Sequence, residues 1–593
     1  MRAARALPVS NMAPEVATES DGRAADEIGG VPGPREVALT KKTKLHGRAF
    51  YESIGSPKYI VAPMVDQSEY VCVSFLGFCW DLALVANSWG VSQAWRMLSR
   101  SFLPASQRST ILAYTPMFHA RLFADTQRYR ETHFQPTTEP MPEKPPFPVT
   151  PFLDGSPADR PLFVQFCAND PDALLAAARY VAPYCDAVDL NLGCPQGIAR
   201  KGHYGAFLQE DQALIYRLIS TLHAELEVPV TAKIRILHTR EATLAYARNV
   251  LSAGASILTV HGRLREQKGH LTGLADWDTI RWLREQLPKE TVMFANGNIL
   301  EYDDLAKCKA ATGVDGVMSA EGNLSNPGIF AEPPAPEEEA RAYWRGRDGK
   351  GGWRVDEVFR RYLDIVYRCV QRDPPVRRKL FLPGDDEAWL ETKAELPSSM
   401  ASEPPWKKKK EELPKEFEEL IRSPNVTAMQ AHLFHLLRHF VTKHTDVRDA
   451  LARVRAGDLP TYEIILSMVE YKVARGLIDY ERTDGASIAE YLTVGPVPDG
   501  IDESESSIPA LRRCKRPWWV VQPIIRPLPK EAMAKGAIQE SKKKKKQKAK
   551  AAKEEGNQGE TTQNGFGKEE APEQLLPSPS PNKKRALEPE VVV

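Results

Sequence analysis

DAVDLNLGCPQGIARKGHYGAFLQEDQALIYRLISTLHAELEVPVTAKI, residues 186–234, reads as strand, loop, helix, strand. DAVDL and VTAKI are short and mostly apolar throughout rather than alternating, as strands buried on both faces are. Between them, DQALIYRLISTLHAEL repeats Leu and Ala at three- and four-residue spacing, the mark of a helix with one apolar face. The same alternation continues outward on both sides. Further strands are expected at YIVAP (59–63), ILAYTP (111–116), LFVQF (162–166), ILTVH (257–261), VMFAN (292–296) and DGVMSA (315–320), separated by helical stretches such as PDALLAAARYVAP and TREATLAYARNVLSAG. Gly254 closes the last of these as a C-cap. Eight strand–helix units between about 46 and 330 predict an α/β fold, a (β/α)8 TIM barrel.

The flanks differ. Residues 1–45, rich in Ala, Glu, Pro and Gly without periodicity, read as a disordered tail. Residues 331–351 read as a linker. A smaller helical domain is expected over 352–480. In its segment TAMQAHLFHLLRHFVTKH, Met429, Leu433, Leu436, Leu437 and Phe440 form an apolar stripe, and His432, His435, Arg438, His439 and Lys443 fill the surface. Within this domain, about 370–424 is Pro- and charge-rich, an exposed loop insertion. Residues 481–593 read as a disordered basic tail. Its Lys runs, such as SKKKKKQKAKAAK, suit RNA attraction or nuclear import as well as plain solvation.

Basic and acidic residues number 79 and 78, so overall charge identifies no partner. Eight scattered cysteines without paired spacing argue against a disulfide framework or a zinc module and for a reducing compartment, cytoplasm or nucleus. No apolar run is long enough for a signal peptide or a membrane span. The basic, acid-free opening MRAARALP leaves a transit peptide open.

Active sites of such barrels lie at the C-terminal ends of the strands. Asn296-Gly297-Asn298 and Ala320-Glu321-Gly322 follow strands seven and eight, where glycine lets backbone amides approach a phosphate; Asn-Gly is equally a frequent turn pair. Lys233 and His261 close apolar strands, where a polar group costs free energy unless paired. An aromatic cofactor with carbonyls, a ring nitrogen and a phosphate would satisfy both, and Gln165 could donate to the same ring. Without a Rossmann fingerprint, flavin mononucleotide (FMN) fits better than a dinucleotide. Cys194, in a loop opened by Gly193 and fixed by Pro195, stands where a thiol serves as nucleophile or proton donor.

The strings APMVDQSE, AWRMLSR, YTPMFHAR, LFVQFCANDPD, DAVDLNLGCPQGIARKGHYGAFL, VTAKIRIL, ILTVHGR, FANGNI and DGVMSAEGNL resemble the tRNA-dihydrouridine synthase family, most of all its eukaryotic branch acting at D-loop positions 16 and 17. The resemblance covers about 45–330 and, more weakly, the chain to about 480. It implies reduction of FMN by NADPH or NADH, hydride transfer to C6 of a uracil in tRNA, and protonation of C5 by Cys194. By motif match, Pro63, Met64 and Val65 would line the flavin, and Gln165, Lys233 and His261 would bind its ring system or chain. Asn296, Gly297, Asn298, Ala320 and Glu321 would hold the phosphate. A monomer is expected. The cations Arg200, Lys201, His203, Arg235, Arg263, Arg265 and Lys268, with the helix near 430–444, would supply RNA contacts.

One segment departs from the family pattern. Residues 70–93 separate APMVDQSE from AWRMLSR and are apolar without periodicity, although a loop over a cofactor should be polar. They read as a retained intron, encodable with a GT donor and a CAG acceptor, or else as a lid or partner hairpin. Two other functions compete with the family's own. A flavin barrel oxidoreductase acting on a free pyrimidine or other small substrate would need neither helical domain nor basic tail. A non-catalytic RNA binder would not need Cys194, Lys233 and His261.

Overall fold

The computed structural model describes residues 44–64, 92–136, 154–336, 341–368, 379–391 and 423–534. The N-terminal tail to residue 43, Val65, residues 70–91 of the atypical segment, most of the charged insertion and the Lys runs lie outside these. From Leu45 onward the described residues form one packed unit.

Eight parallel strands form the barrel: β1 Tyr59–Val61, β2 Ile111–Tyr114, β3 Leu162–Cys167, β4 Ala187–Leu192, β5 Val230–Arg235, β6 Ile257–His261, β7 Val292–Asn296 and β8 Gly316–Ser319. Each pairs with the next, and β8 pairs with β1 to close the ring. The expected (β/α)8 TIM barrel is therefore present. Every residue of β2, β3, β4, β5, β7 and β8 is buried, which is why these runs are mostly apolar. Four of the helices that follow strands start on side-chain caps: Asp170, Asp211, Thr239 and Asp276 each accept a hydrogen bond from a backbone amide of the first turn. Gly254 follows the helix Arg240–Ser252 with φ +108°, and a Cβ there would lie 2.3 Å from the His223 ring.

The C-terminal helices include Val355–Val366, Met429–Leu436, Arg438–Lys443, Thr445–Arg453 and Leu459–Arg482. They dock on the barrel through the helix Gln93–Ser101. Ser92 and Gln93, the end of the atypical segment, are buried there, and the Ala94 amide donates to Asn425 Oδ1 at 2.7 Å. The Trp95 indole donates to Asn323 Oδ1 at 3.0 Å, and its ring lies 4.5 Å from that of His432. His432 Nδ1 is 2.7 Å from the Tyr362 hydroxyl. This histidine, expected on an RNA-facing surface, is thus a buried part of the junction.

Two flanking expectations are corrected. The span read as a linker contains Tyr343–Arg345, which pairs antiparallel with Gly351–Trp353. The chain from Thr483 to Ala534, read as disordered, is packed. Trp518, Trp519, Val520 and Val521 are buried, and Arg513 and Arg516 form ion pairs with Glu301 and Asp304 beside the barrel. A few anchoring side chains on short, irregular elements leave no periodicity to read. No helix among the described residues is long and apolar enough to cross a membrane.

Candidate active site at the barrel mouth

The loop after β4 is held by polar side chains on the strand before it. Asn191 Oδ1 accepts from the amides of Gly193 and Cys194 at 3.0 and 2.9 Å, and its Nδ2 donates to Gln165 Oε1 at 2.7 Å. Gln165 Nε2 donates to Asp189 Oδ2 at 2.8 Å, and the Thr231 hydroxyl to Asp189 Oδ1 at 2.6 Å. Two cations pin the loop from outside: Arg235 Nε donates to the Gly193 carbonyl at 2.7 Å and Lys268 Nζ to the Pro195 carbonyl at 2.8 Å. Gly205 closes over it with φ +64°, and a Cβ there would stand 2.9 Å from the Cys194 carbonyl oxygen and 3.0 Å from its Cβ. Gly205→Ala must shift the Cys194 backbone. Product formation is expected to fall by about 10²-fold with flavin content unchanged, because misplacing a reacting group by an ångström costs that much. Turnover measured against flavin absorbance checks it.

Burial pushes the Cys194 thiol above its usual range, so it carries its proton at neutral pH. Lys233 is 8% exposed and has no hydrogen-bond partner among the described residues. Burial, and then the neighbouring Arg235, push it down to about 7. His261 is held well below the usual histidine range by burial and by Arg235, Lys233 and Arg263, so its ring is neutral. Its Nε2 lies 3.0 Å from Arg263 Nη1, which can only donate, so Nε2 is the accepting nitrogen. Burial raises Asp189 to about 6 despite its hydrogen bonds.

Beyond β7, Gly297 has φ +121° and a Cβ there would lie 2.5 Å from that of Ala275, so the turn requires glycine. Asn298 Oδ1 accepts from the Ala275 amide at 2.8 Å and from Arg263 Nη2 at 3.0 Å. Asn296 Nδ2 donates to the Met318 carbonyl at 3.1 Å. The Glu321 carboxylate accepts from Arg526 Nη2 at 2.9 Å, and Ala320 precedes it at the start of a short helix. Pro63 and Met64 follow β1 after one residue, Ala62.

The strand register gathers these residues. Asn191 stands opposite Lys233, Arg235 opposite His261, and His261 opposite Asn296. A buried ammonium with no hydrogen-bond partner among the described residues calls for an acceptor-rich group, and the register sets it two strands from the glycine turn after β7, so the residues present fit a flavin mononucleotide. The side chains of Gln165 and Asn296 are committed to protein partners. Arg235 and Arg263, expected as rim charges, are instead turned onto backbone carbonyls of the loops, because a buried guanidinium needs acceptors for its fork of donors. Arg200, Lys201 and His203 are not buried. Sequence reasoning misses Asp189 and Asn191, although polar residues at alternate positions of an apolar strand are an available signal. Arg526 has none, lying 205 residues from its partner.

Residues 60–348 match the family model described as dihydrouridine synthase (Dus). A Saccharomyces cerevisiae protein named tRNA-dihydrouridine(16/17) synthase [NAD(P)(+)] is 41% identical over 485 residues, covering 82% of this chain and 87% of that one. The Schizosaccharomyces pombe protein of the same name is 39% identical over 486 residues, covering 82% and 92%. A Mus musculus protein named tRNA-dihydrouridine(16/17) synthase [NAD(P)(+)]-like is 33% identical over 501 residues, covering 84% and 75%. With identity of this extent running through barrel and helical region alike, the chain belongs to the dihydrouridine synthase family.

Proposed function

We propose that the protein reduces the C5–C6 double bond of uridine in the tRNA D-loop, at positions 16 and 17, with FMN as its flavin and NADPH or NADH as reductant. It acts as a monomer in the cytoplasm or nucleus. The observation that carries the reading is the Cys194 thiol fixed through its own backbone next to a buried Lys233 that has no hydrogen-bond partner among the described residues.

FMN, when bound and reduced by NAD(P)H, would supply the hydride for C6. The chain does the rest. Cys194 Sγ hands its proton to C5 from the opposite side of the base. Lys233 and His261 hold the ring system, with Gln165 bordering it. The Gly297–Asn298 turn, Asn296, Ala320 and Glu321 would bound the phosphate end, and the backbone of Pro63 and Met64 would line the flavin. A base must leave its stack to reach the thiol, at a cost of a few kcal/mol that contacts to RNA shape and phosphates offset.

Flavin-loaded protein, NADPH and unmodified tRNA are expected to yield dihydrouridine at 16 and 17 on mass spectrometry of digested RNA. Reduction of free uridine with tRNA left untouched would replace this reading by the small-substrate one.

Lys233 gives a pH dependence with a definite sign. Before flavin binds, its pKa is about 7; an acceptor placed beside it favours the charged form and raises that value. Flavin affinity should therefore be greatest below pH 7 and weaken as pH rises from 7 to 9. Titration at several pH values tests this; in Lys233→Met the affinity should be lower and flat across the range. An affinity that strengthens with pH in the wild type excludes the assigned contact.

A further inference from the structure

The chain from Arg513 to Ala534 lies against the loops that follow β6, β7 and β8. Arg513 and Arg516 pair with Glu301 and Asp304 after β7, and a Cβ on Gly273, after β6, would stand 3.7 Å from Pro529 Cγ. The Pro523 carbonyl lies 3.2 Å from His439 Nε2. Glu531 accepts from the Ser506 and Ser507 hydroxyls at 2.6 and 2.5 Å and from the Leu528 amide at 3.0 Å. Arg526 sits between these anchors, so the fold carries its guanidinium to one place. Its Nη2 donates to Glu321 Oε1 at 2.9 Å, the two side chains being 28% and 38% exposed.

That place is the end of the mouth assigned to a phosphate. A Cβ on Gly322 would stand 2.2 Å from the Ile299 carbonyl oxygen, so the backbone beside Glu321 packs on the turn after β7. A Cβ on Gly297 of the same turn would stand 3.6 Å from Arg263 Nη1. Burial pushes Arg263 down to about 10, Glu321 pulls it back up and Arg526 lowers it, so it is charged at neutral pH and lies in the field of both. Glu321 has the wrong sign for this end, since a carboxylate repels a phosphate. Left to itself it would also offset the charge of Arg263.

We propose that Arg526 is a positioning residue for the phosphate of FMN. By holding the Glu321 carboxylate, it leaves the charge of Arg263 available at the Gly297–Asn298 turn and removes a repulsion from the incoming phosphate. The cofactor site is thus completed from outside the barrel, by the stretch of chain that shows no periodicity. The proposal deepens the FMN reading above and rests on it.

The test titrates full-length protein, freed of its flavin, with FMN and with riboflavin, the same ring system without the phosphate, and follows quenching of flavin fluorescence. In Arg526→Ala, FMN affinity is expected to fall about tenfold, the size of one charge interaction in a part-exposed site, with riboflavin affinity unchanged. Adding Glu321→Gln to Arg526→Ala should restore most of the loss, and Arg526→Lys should lose less than Arg526→Ala. Rescue by removing the partner separates a charge effect from a brace, which either substitution would break. Equal losses for FMN and riboflavin, or a Glu321→Gln variant as weak as Arg526→Ala, would make the pair a brace and overturn the proposal. A wild type that prefers FMN, with Arg526→Ala unaffected, would overturn the proposal alone. A wild type that binds FMN no tighter than riboflavin would overturn the phosphate assignment as well.

Discussion

Cys194→Ala is expected to abolish nearly all dihydrouridine in tRNA while the protein keeps its flavin. The loop does not depend on the sulfur for its shape. It is held by Asn191 at the Gly193 and Cys194 amides, by Arg235 at the Gly193 carbonyl and by Lys268 at the Pro195 carbonyl. Truncation to alanine therefore removes the proton and little else. A positioned general acid is worth about 10²–10⁴-fold in rate, and loss within that range is the expected size. Burial keeps the thiol protonated, so the wild-type rate should hold through neutral pH and decline only as pH rises through the thiol's elevated pKa. Dihydrouridine content and the rate at which pre-reduced enzyme is oxidised by tRNA give the two readouts. Unchanged product would remove Cys194 from the chemistry, and lost flavin would make it a structural residue.

Asp159→Ala should produce the largest loss of stability. Asp159 is fully buried and accepts from Arg96 Nε and Nη2 at 2.9 and 2.5 Å and from Arg100 Nη1 at 3.1 Å. Both arginines are 1% exposed, so the substitution leaves Arg100 without its carboxylate and takes from Arg96 the Asp159 half of its pairing, with Asp154 remaining. Removing one partner of a buried ion pair costs about 3–5 kcal/mol, more than a core methyl group would. Arg100 also donates to the carbonyls of Ile111 and Pro161, so the same change loosens the entries to β2 and β3. Urea unfolding should show a lower midpoint at an unchanged slope. A shift of less than about 1 kcal/mol would mean that water reaches the arginines and that the pair is not sealed. Because these arginines share a helix with Trp95, flavin binding and docking of the C-terminal helices should weaken together in the variant.

The barrel is legible residue by residue. All eight expected strands are present, and β6 and β7 have the expected ends. A strand buried on both faces is mostly apolar, and its helix must repeat at 3.6 residues, so burial is written into neighbouring letters. Cys194 and Lys233 stand out for the converse reason, since each interrupts an apolar pattern, and their roles are those proposed above. Other features are decided by contacts between distant parts of the chain. His432 has the look of a surface histidine until Trp95 and Tyr362 cover it. Arg235 and Arg263 resemble rim charges until the loops fold their carbonyls onto them. Trp518 and Trp519 sit in a stretch with no period, and their burial depends on a helix packing its glycine against them. Local sequence determines which backbone forms and which face is apolar. Which polar group finds which partner is a property of the closed structure, because a hydrogen bond or an ion pair needs atoms within about 3 Å and leaves no periodic trace in the chain.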